Sequence, residues 1–254
     1  MRESRKTEGK KMEKKLGIIG GMGPQATCSL LETIIKFTDA SKDQEHIHII
    51  LENDSKIPDR SEAILSGGAD PTPELIACGR RLIDAGAELL VMHCNTAHYF
   101  YDAVAREMTV PVFHMLRETA SSIAQAGIKR VGMLTTTGTK KSGVYDAALA
   151  EYGIEPVYPE DVEQDLLMSQ IYDYAKGGRG ELDASGIRSI IAHLKGAGAE
   201  KLVIGCTEVP ILLRGLSEYA DADEFELELG FADPTLITAK KLIELAGYRV
   251  KSIK

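Results

Sequence analysis

No apolar run in this chain approaches the roughly 18–20 residues that a transmembrane helix needs. The N-terminus lacks the apolar stretch of a secretory signal, so none is expected. Basic excess is missing too: the net charge is −8, which argues against a general nucleic-acid binder. Cysteine is scarce. The four cysteines, at 28, 78, 94 and 206, form no C-x-x-C pair and no dense disulfide framework, as expected of free thiols in a reducing cytosol. These absences point to a cytoplasmic protein that engages neither membrane nor nucleic acid. What remains is a chain of 254 residues with 44% hydrophobic content, enough for one large domain or two lobes of ordinary size.

Residues 1–15 are polar and mostly basic, without hydrophobic periodicity, and are expected to form a disordered tail. From Leu16 onward, short apolar runs alternate with helical patterns. Strands are expected at 16–20, 46–51, 88–93 and 110–114, then at 130–135, 155–159 and 201–205. Helices are expected at 24–37, 73–85, 142–152, 162–176, 184–197 and 234–246, with Pro24 suited to a first helical turn. Residues 52–70 carry the Asn, Asp, Pro and Gly of a loop. Continuous apolar strands alternating with helices imply parallel βαβ units. The expected fold is α/β, with two pseudo-symmetric lobes, each a parallel sheet flanked by helices. Lobe 1 takes 16–115 plus 217–254 and lobe 2 takes 116–216. In such sheets the ligand sits at the carboxyl ends of the strands, here in the cleft between the lobes.

Two stretches of the chain repeat one another. LIDAGAELLVMHC (82–94) aligns with LKGAGAEKLVIGC (194–206), and seven of thirteen positions are identical. The identities are Leu82, Ala85, Gly86, Ala87, Glu88, Val91 and Cys94 with their counterparts 112 residues later, ending at Cys206. A lone cysteine after a strand is ordinarily a packing residue. A duplicated unit that delivers one thiol per copy suggests two sulfurs facing one ligand. Such a pair suits inversion of a stereocentre, which removes a proton from one face and returns it to the other. A resting thiol is only a few per cent ionised near neutrality, so the site must keep one sulfur ionised and the other protonated. Cys28 and Cys78 lie inside helical patterns without such surroundings and are assigned to packing.

At these residues the chain resembles the aspartate/glutamate racemase family. The matching segments are GIIGGMGPQAT (17–27), NDSKIPDR (53–60), HCNTAHYF (93–100), TTTGT (135–139) and GCTEVP (205–210). GCTE is more similar to the aspartate racemase branch, because the cell-wall glutamate racemases tend to have His where Glu208 stands. His93 departs from the small or Pro residue expected before the first cysteine. The resemblance implies a cofactor-independent, metal-free racemase with Cys94 and Cys206 as its two bases. It also implies that Arg60 and Lys176 hold substrate carboxylates, and that the substrate is an acidic amino acid, with aspartate favoured and glutamate possible. A need for cations follows independently, since a net charge of −8 repels a dicarboxylate and Arg offers bidentate geometry for one. Further carboxylate donors are the backbone N–H groups near Met22 and Gly23, with Asn95, Thr96, Thr137 and Thr207; turn and capping chemistry would account for the same residues. Glu208 either orients a neighbouring base or is an acid at a helix start. A homodimer is the default assembly for such enzymes.

Other readings compete. Gly21-Met-Gly23-Pro-Gln-Ala26 fits a weak dinucleotide fingerprint. His93, Cys94 and His98 cluster near Cys206, though not at a recognised zinc spacing. A non-catalytic binding protein for acidic amino acids would also suit two α/β lobes with a cleft. Within the same fold, a hydantoin racemase or an arylmalonate decarboxylase would use cysteine too.

Overall fold

The computed structural model describes residues 12–219 and 230–252. The first half runs β1 (Leu16–Gly20), α1 (Pro24–Phe37), β2 (Ile49–Asn53), α2 (Arg60–Ser66), α3 (Thr72–Asp84), β3 (Leu89–Met92), α4 (Tyr101–Arg106), β4 (Val112–Phe113) and α5 (Met115–Gln125). The second runs β5 (Arg130–Leu134), α6 (Thr137–Ser142), α7 (Val144–Ala150), β6 (Glu155–Val157), α8 (Asp161–Ser169), a π-helical segment (Gln170–Lys176), α9 (Ala184–Gly196), β7 (Lys201–Ile204), α10 (Val209–Tyr219), β8 (Phe231–Ala232) and α11 (Pro234–Leu245). Two four-stranded sheets result, ordered β2-β1-β3-β4 and β6-β5-β7-β8, and every pairing is parallel. The second order is the first advanced by four strands, so the duplication seen in 82–94 and 194–206 extends to the whole topology.

Alternation along the strands sorts the core into three layers. Leu16, Ile18 and Val91 of the first sheet share one apolar cluster with Val131, Met133 and Val203 of the second, filled by side chains of α1, α5, α7 and α11. The opposite face of the first sheet packs Ile19, Leu90 and Met92 on α3 and α4. The opposite face of the second packs Leu134, Leu202 and Ile204 on α8, α9 and α10.

Several elements differ from the sequence expectation. The helix expected over 142–152 starts at Val144 as α7, and Gly143, whose φ of +65° is left-handed, separates it from a further helix, α6. The TTTGT segment opens a helix, because Thr136 Oγ1 accepts the Thr139 N–H as an N-cap. The loop expected over 52–70 contains α2, capped when Asp59 Oδ1 accepts the Glu62 N–H at 2.9 Å. The helix expected over 162–176 is α-helical only to Ser169; beyond it Gly177 N–H reaches five residues back to Tyr172 O at 2.9 Å. The segment 217–254, assigned wholly to the first lobe, divides: β8 pairs with β7, whereas α11 packs against α1 and α5. Residues 12–15 of the expected tail are tied to the fold, since Lys14 N–H donates to Ala246 O and Lys15 N–H to Glu88 Oε2, both at 3.0 Å. Residues 1–11 lie outside the described residues.

The repeat has a shared packing device. A Cβ on Gly17 would lie 2.5 Å from Leu90 Cδ2 and 2.8 Å from Ala87 Cβ. On Gly132 it would lie 2.7 Å from Leu202 Cδ2 and 3.0 Å from Leu194 Cβ. In both lobes a strand glycine lets the helix that precedes the neighbouring strand, α3 in the first and α9 in the second, close onto the sheet. Gly17→Ala and Gly132→Ala are each expected to destabilise by about 1–3 kcal/mol through overpacking. The Gly17 variant should lose more, because both of its nearest atoms lie closer than their counterparts around Gly132. Chemical denaturation of the two variants checks the order.

Candidate active site

β3 and β7 end at equivalent places, and each chain then turns at once. Cys94 N–H donates to Met92 O at 3.0 Å, and Gly205 N–H donates to Val203 O at 2.9 Å. The turns carry Cys94 and Cys206 into the lining of one cleft, 7% and 5% exposed. From the first half the cleft is lined by Met22, Asp59, Arg60, Ser61, Asn95 and Thr96; from the second by Thr136, Tyr172, Lys176, Thr207 and Glu208. The inner cleft is narrow, with a cavity volume of ≈ 10 Å³, about the space of one water.

Two residues expected here sit elsewhere. Gly23 faces an outer cleft of ≈ 530 Å³, which shares Asp59, Arg60, Lys176 and Glu208 with the inner one. Thr137 is turned away, its N–H directed at Met168 Sδ at 3.1 Å. Its neighbour Thr136 lines the cleft instead, because an N-cap side chain points back over the helix start. Asp59, Ser61, Thr136 and Tyr172 were not anticipated. Tyr172 carried a signal in its spacing of four from Lys176, one helical turn.

The two sulfurs stand in unequal fields. Arg60 lies beside Cys94, its Nη1 anchored to Ile57 O at 3.1 Å and Pro58 O at 2.8 Å while its buried Nε has no partner. Burial opposes the Arg60 charge; Cys94 and Asp59 outweigh it, and its pKa is raised. Across the cleft, Cys206 Sγ and Thr207 Oγ1 both donate to Glu208 Oε2 at 3.1 Å. Burial first, then the Glu208 carboxylate, pushes the Cys206 thiol well above its ordinary value, with Lys176 pulling the other way. Lys176 sits 4.3 Å from the centre of the Tyr172 ring. Its own burial disfavours the ammonium, but Glu208, Cys206, Tyr172 and Cys94 outweigh that and raise its pKa. Tyr172 donates to Asp59 Oδ2 at 3.0 Å, linking the π-helical segment to the cap of α2.

Other contacts fix the frame. Thr96 Oγ1 bonds Thr136 Oγ1 at 3.1 Å and Thr139 Oγ1 at 2.9 Å, joining the Cys94 turn to α6. His98 Nε2 accepts the Met115 N–H at 3.1 Å, which puts its proton on Nδ1, donated to Cys94 O at 2.9 Å. Burial, and then His114, hold this ring neutral with a pKa of about 3. Both ring nitrogens are thus engaged and neither is open to a metal. No group of three or more His, Cys, Asp or Glu side chains among the described residues is placed to hold one. The glycine turn does not suit a dinucleotide either, since Glu208 Oε1 lies 3.1 Å from where a Gly23 Cβ would be and would repel a pyrophosphate there.

Fold and cleft define a two-lobed α/β protein with paired thiols at matching strand ends. The chain belongs to the Asp/Glu/hydantoin racemase family, whose pattern matches residues 19–242. It is similar to Picrophilus torridus aspartate racemase, at 32% identity over 94% of this chain and 96% of that one, with a TM-score of 0.79. A glutamate racemase of Aquifex aeolicus is 28% identical over 173 residues, 65% of this chain and 61% of that protein. A broad specificity amino-acid racemase of Bacillus subtilis is 28% identical over 154 residues, 59% of this chain and 66% of that protein. The chain therefore spans just under two thirds of the length of these two curated relatives. No described helix is long and apolar enough to cross a membrane.

Removing the negative neighbour favours the thiolate, so Glu208→Gln should shift Cys206 ionisation to lower pH. Removing the positive one, by Lys176→Met, should shift it to higher pH. Thiolate absorbance across pH, in a background where the other three cysteines are serine, reads both directions.

Proposed function

We propose that the protein racemises an acidic amino acid, aspartate in preference to glutamate, by passing the α-proton between Cys94 and Cys206 without a cofactor. The observation that carries this is the opposed setting of the two thiols, a guanidinium beside Cys94 and a carboxylate beside Cys206. A binding protein needs no such pair. In one direction the Cys94 thiolate takes the α-proton from one face. The Cys206 thiol, kept protonated by burial and Glu208, returns a proton to the other. The product has the opposite hand, with Cys94 now a thiol and Cys206 a thiolate. The antipode reverses each step, and the pull of Lys176 on Cys206 assists it.

Arg60 and Lys176 hold the two substrate carboxylates, and they favour a dicarboxylate over a hydantoin. Asn95 and Thr96 donate side-chain hydrogen bonds to the carboxylate on the reacting carbon, and Thr207, whose hydroxyl is given to Glu208, donates its backbone N–H. Charge spreads onto that carboxylate as the proton leaves, and fixed donors in a water-poor site stabilise it most there. The similarity to an aspartate racemase supports the shorter side chain.

In heavy water, the enzyme should interconvert L- and D-aspartate and incorporate deuterium at the α-carbon. Cys94→Ala and Cys206→Ala should each lower racemisation by a factor of about a hundred to ten thousand. Full activity in either variant would sink the two-thiol mechanism. Turnover of glutamate alone would correct only the substrate.

A further inference from the structure

Tyr145 is the largest fully buried side chain in the protein, and it stands in the apolar cluster between the two sheets. A phenol in such a place needs a partner for its hydroxyl. The partner belongs to the other half of the chain: Tyr145 Oη donates to Asn95 Oδ1 at 2.7 Å. Asn95 immediately follows Cys94, is 2% exposed and lines the inner cleft. Its Nδ2 is buried and has no hydrogen-bond partner within the protein.

An asparagine amide presents oxygen on one side and nitrogen on the other, and a flip exchanges them. The two faces differ completely toward an anion, since the NH2 donates to a carboxylate and the carbonyl repels it. Burial raises the Tyr145 pKa, so the phenol keeps the proton it donates. We propose that Tyr145 is a positioning residue that fixes the flip of the Asn95 amide, turning its carbonyl toward α7 and presenting Nδ2 to a substrate carboxylate in the cleft. The unpartnered Nδ2 is thereby a vacant donor that the ligand completes. Tyr145 touches no substrate; it acts through Asn95. This assignment rests on the racemase reading above for the identity of the ligand, not for the orientation of the amide.

The test uses the full-length, 15N-labelled protein and succinate, a dicarboxylate with no stereocentre to invert. The Asn95 side-chain amide signals are identified by their absence in Asn95→Asp. In the wild type they should shift as succinate is added. In Tyr145→Phe, which keeps the ring and its packing, they should move or broaden before any ligand is present. Succinate affinity should then fall roughly three- to tenfold, the loss of about one hydrogen bond. KM for aspartate should rise by a similar factor with kcat less affected. In an Asn95→Ala background, Tyr145→Phe should add no further loss of affinity, which a purely structural role would not produce. Unchanged Asn95 signals in Tyr145→Phe, unchanged affinity, or an equal loss in the Asn95→Ala background would each overturn the assignment. If succinate moves the Asn95 signals but no acidic amino acid is racemised, the racemase reading falls and the assignment stands. If succinate leaves those signals unmoved in the wild type, the assignment falls whatever the turnover.

Discussion

The cleft exists because the two sheets bury their inner faces in one continuous apolar cluster. Val91 and Val203, three residues before their cysteines, stand in that cluster together. Leu and Ile side chains of this kind contribute about 1.5–3 kcal/mol each when fully buried. The resulting core holds the carboxyl ends of β3 and β7 in fixed relation. Thiols placed on two independently moving lobes would not face one α-carbon within the roughly 3 Å reach that proton transfer requires. Hydroxyl contacts from Thr96 to Thr136 and Thr139 tie the two turns again at the mouth of the site.

Within that frame the repeat takes on a sharper meaning. Leu82 and Leu194 close over strand glycines. Gly86 and Gly198 leave their helices with φ of +99° and +87°. Ala87 and Ala199 donate back to Leu82 O and Leu194 O at 2.9 and 3.1 Å. Glu88 and Glu200 receive main-chain N–H groups at the start of the neighbouring strand. Ala85 and Ala197 end their helices as C-caps, and the valines fill the core. Six of the seven identities are therefore accounted for by helix ends, strand starts and packing. The cysteines also belong to apolar clusters, but of the seven pairs they are the one that lines the cleft.

Much of this was legible because periodicity reports burial directly. Strand and helix positions such as 24–37 and 184–197 follow from apolar spacing, and parallel sheets follow from their alternation. Short helices were not legible: α2 sits in a segment rich in turn residues, and its start depends on the Asp59 side chain finding the Glu62 N–H. β8 has two residues and owes its existence to β7 beside it. At the site, residue types in motifs pointed to Cys94, Cys206, Arg60 and Lys176. Which of three consecutive threonines faces the cleft depended on cap geometry, and it is Thr136 and not Thr137. Tyr145 was hidden for a different reason: its partner Asn95 lies 50 positions away, and no local pattern encodes such a pairing. Tyr172 has its helical spacing to Lys176, but its bond to Asp59, 113 positions away, was hidden in the same way.

The departures from symmetry carry the chemistry. His98 clamps the Cys94 carbonyl, whereas the fourth residue after Cys206 is Pro210, and there the Cys206 carbonyl receives the Val209 N–H instead. Arg60 faces one sulfur and Glu208 the other. A strictly symmetric pair would hold both thiols at the same ionisation and leave neither committed as base or acid. In the proposed mechanism the guanidinium beside Cys94 and the carboxylate beside Cys206 would set the two roles apart, while Lys176, drawn to Glu208 and to both sulfurs, would limit how far apart they are driven. A racemase must run in both directions with comparable ease, so a moderated imbalance serves it better than either perfect symmetry or a fixed acid and base.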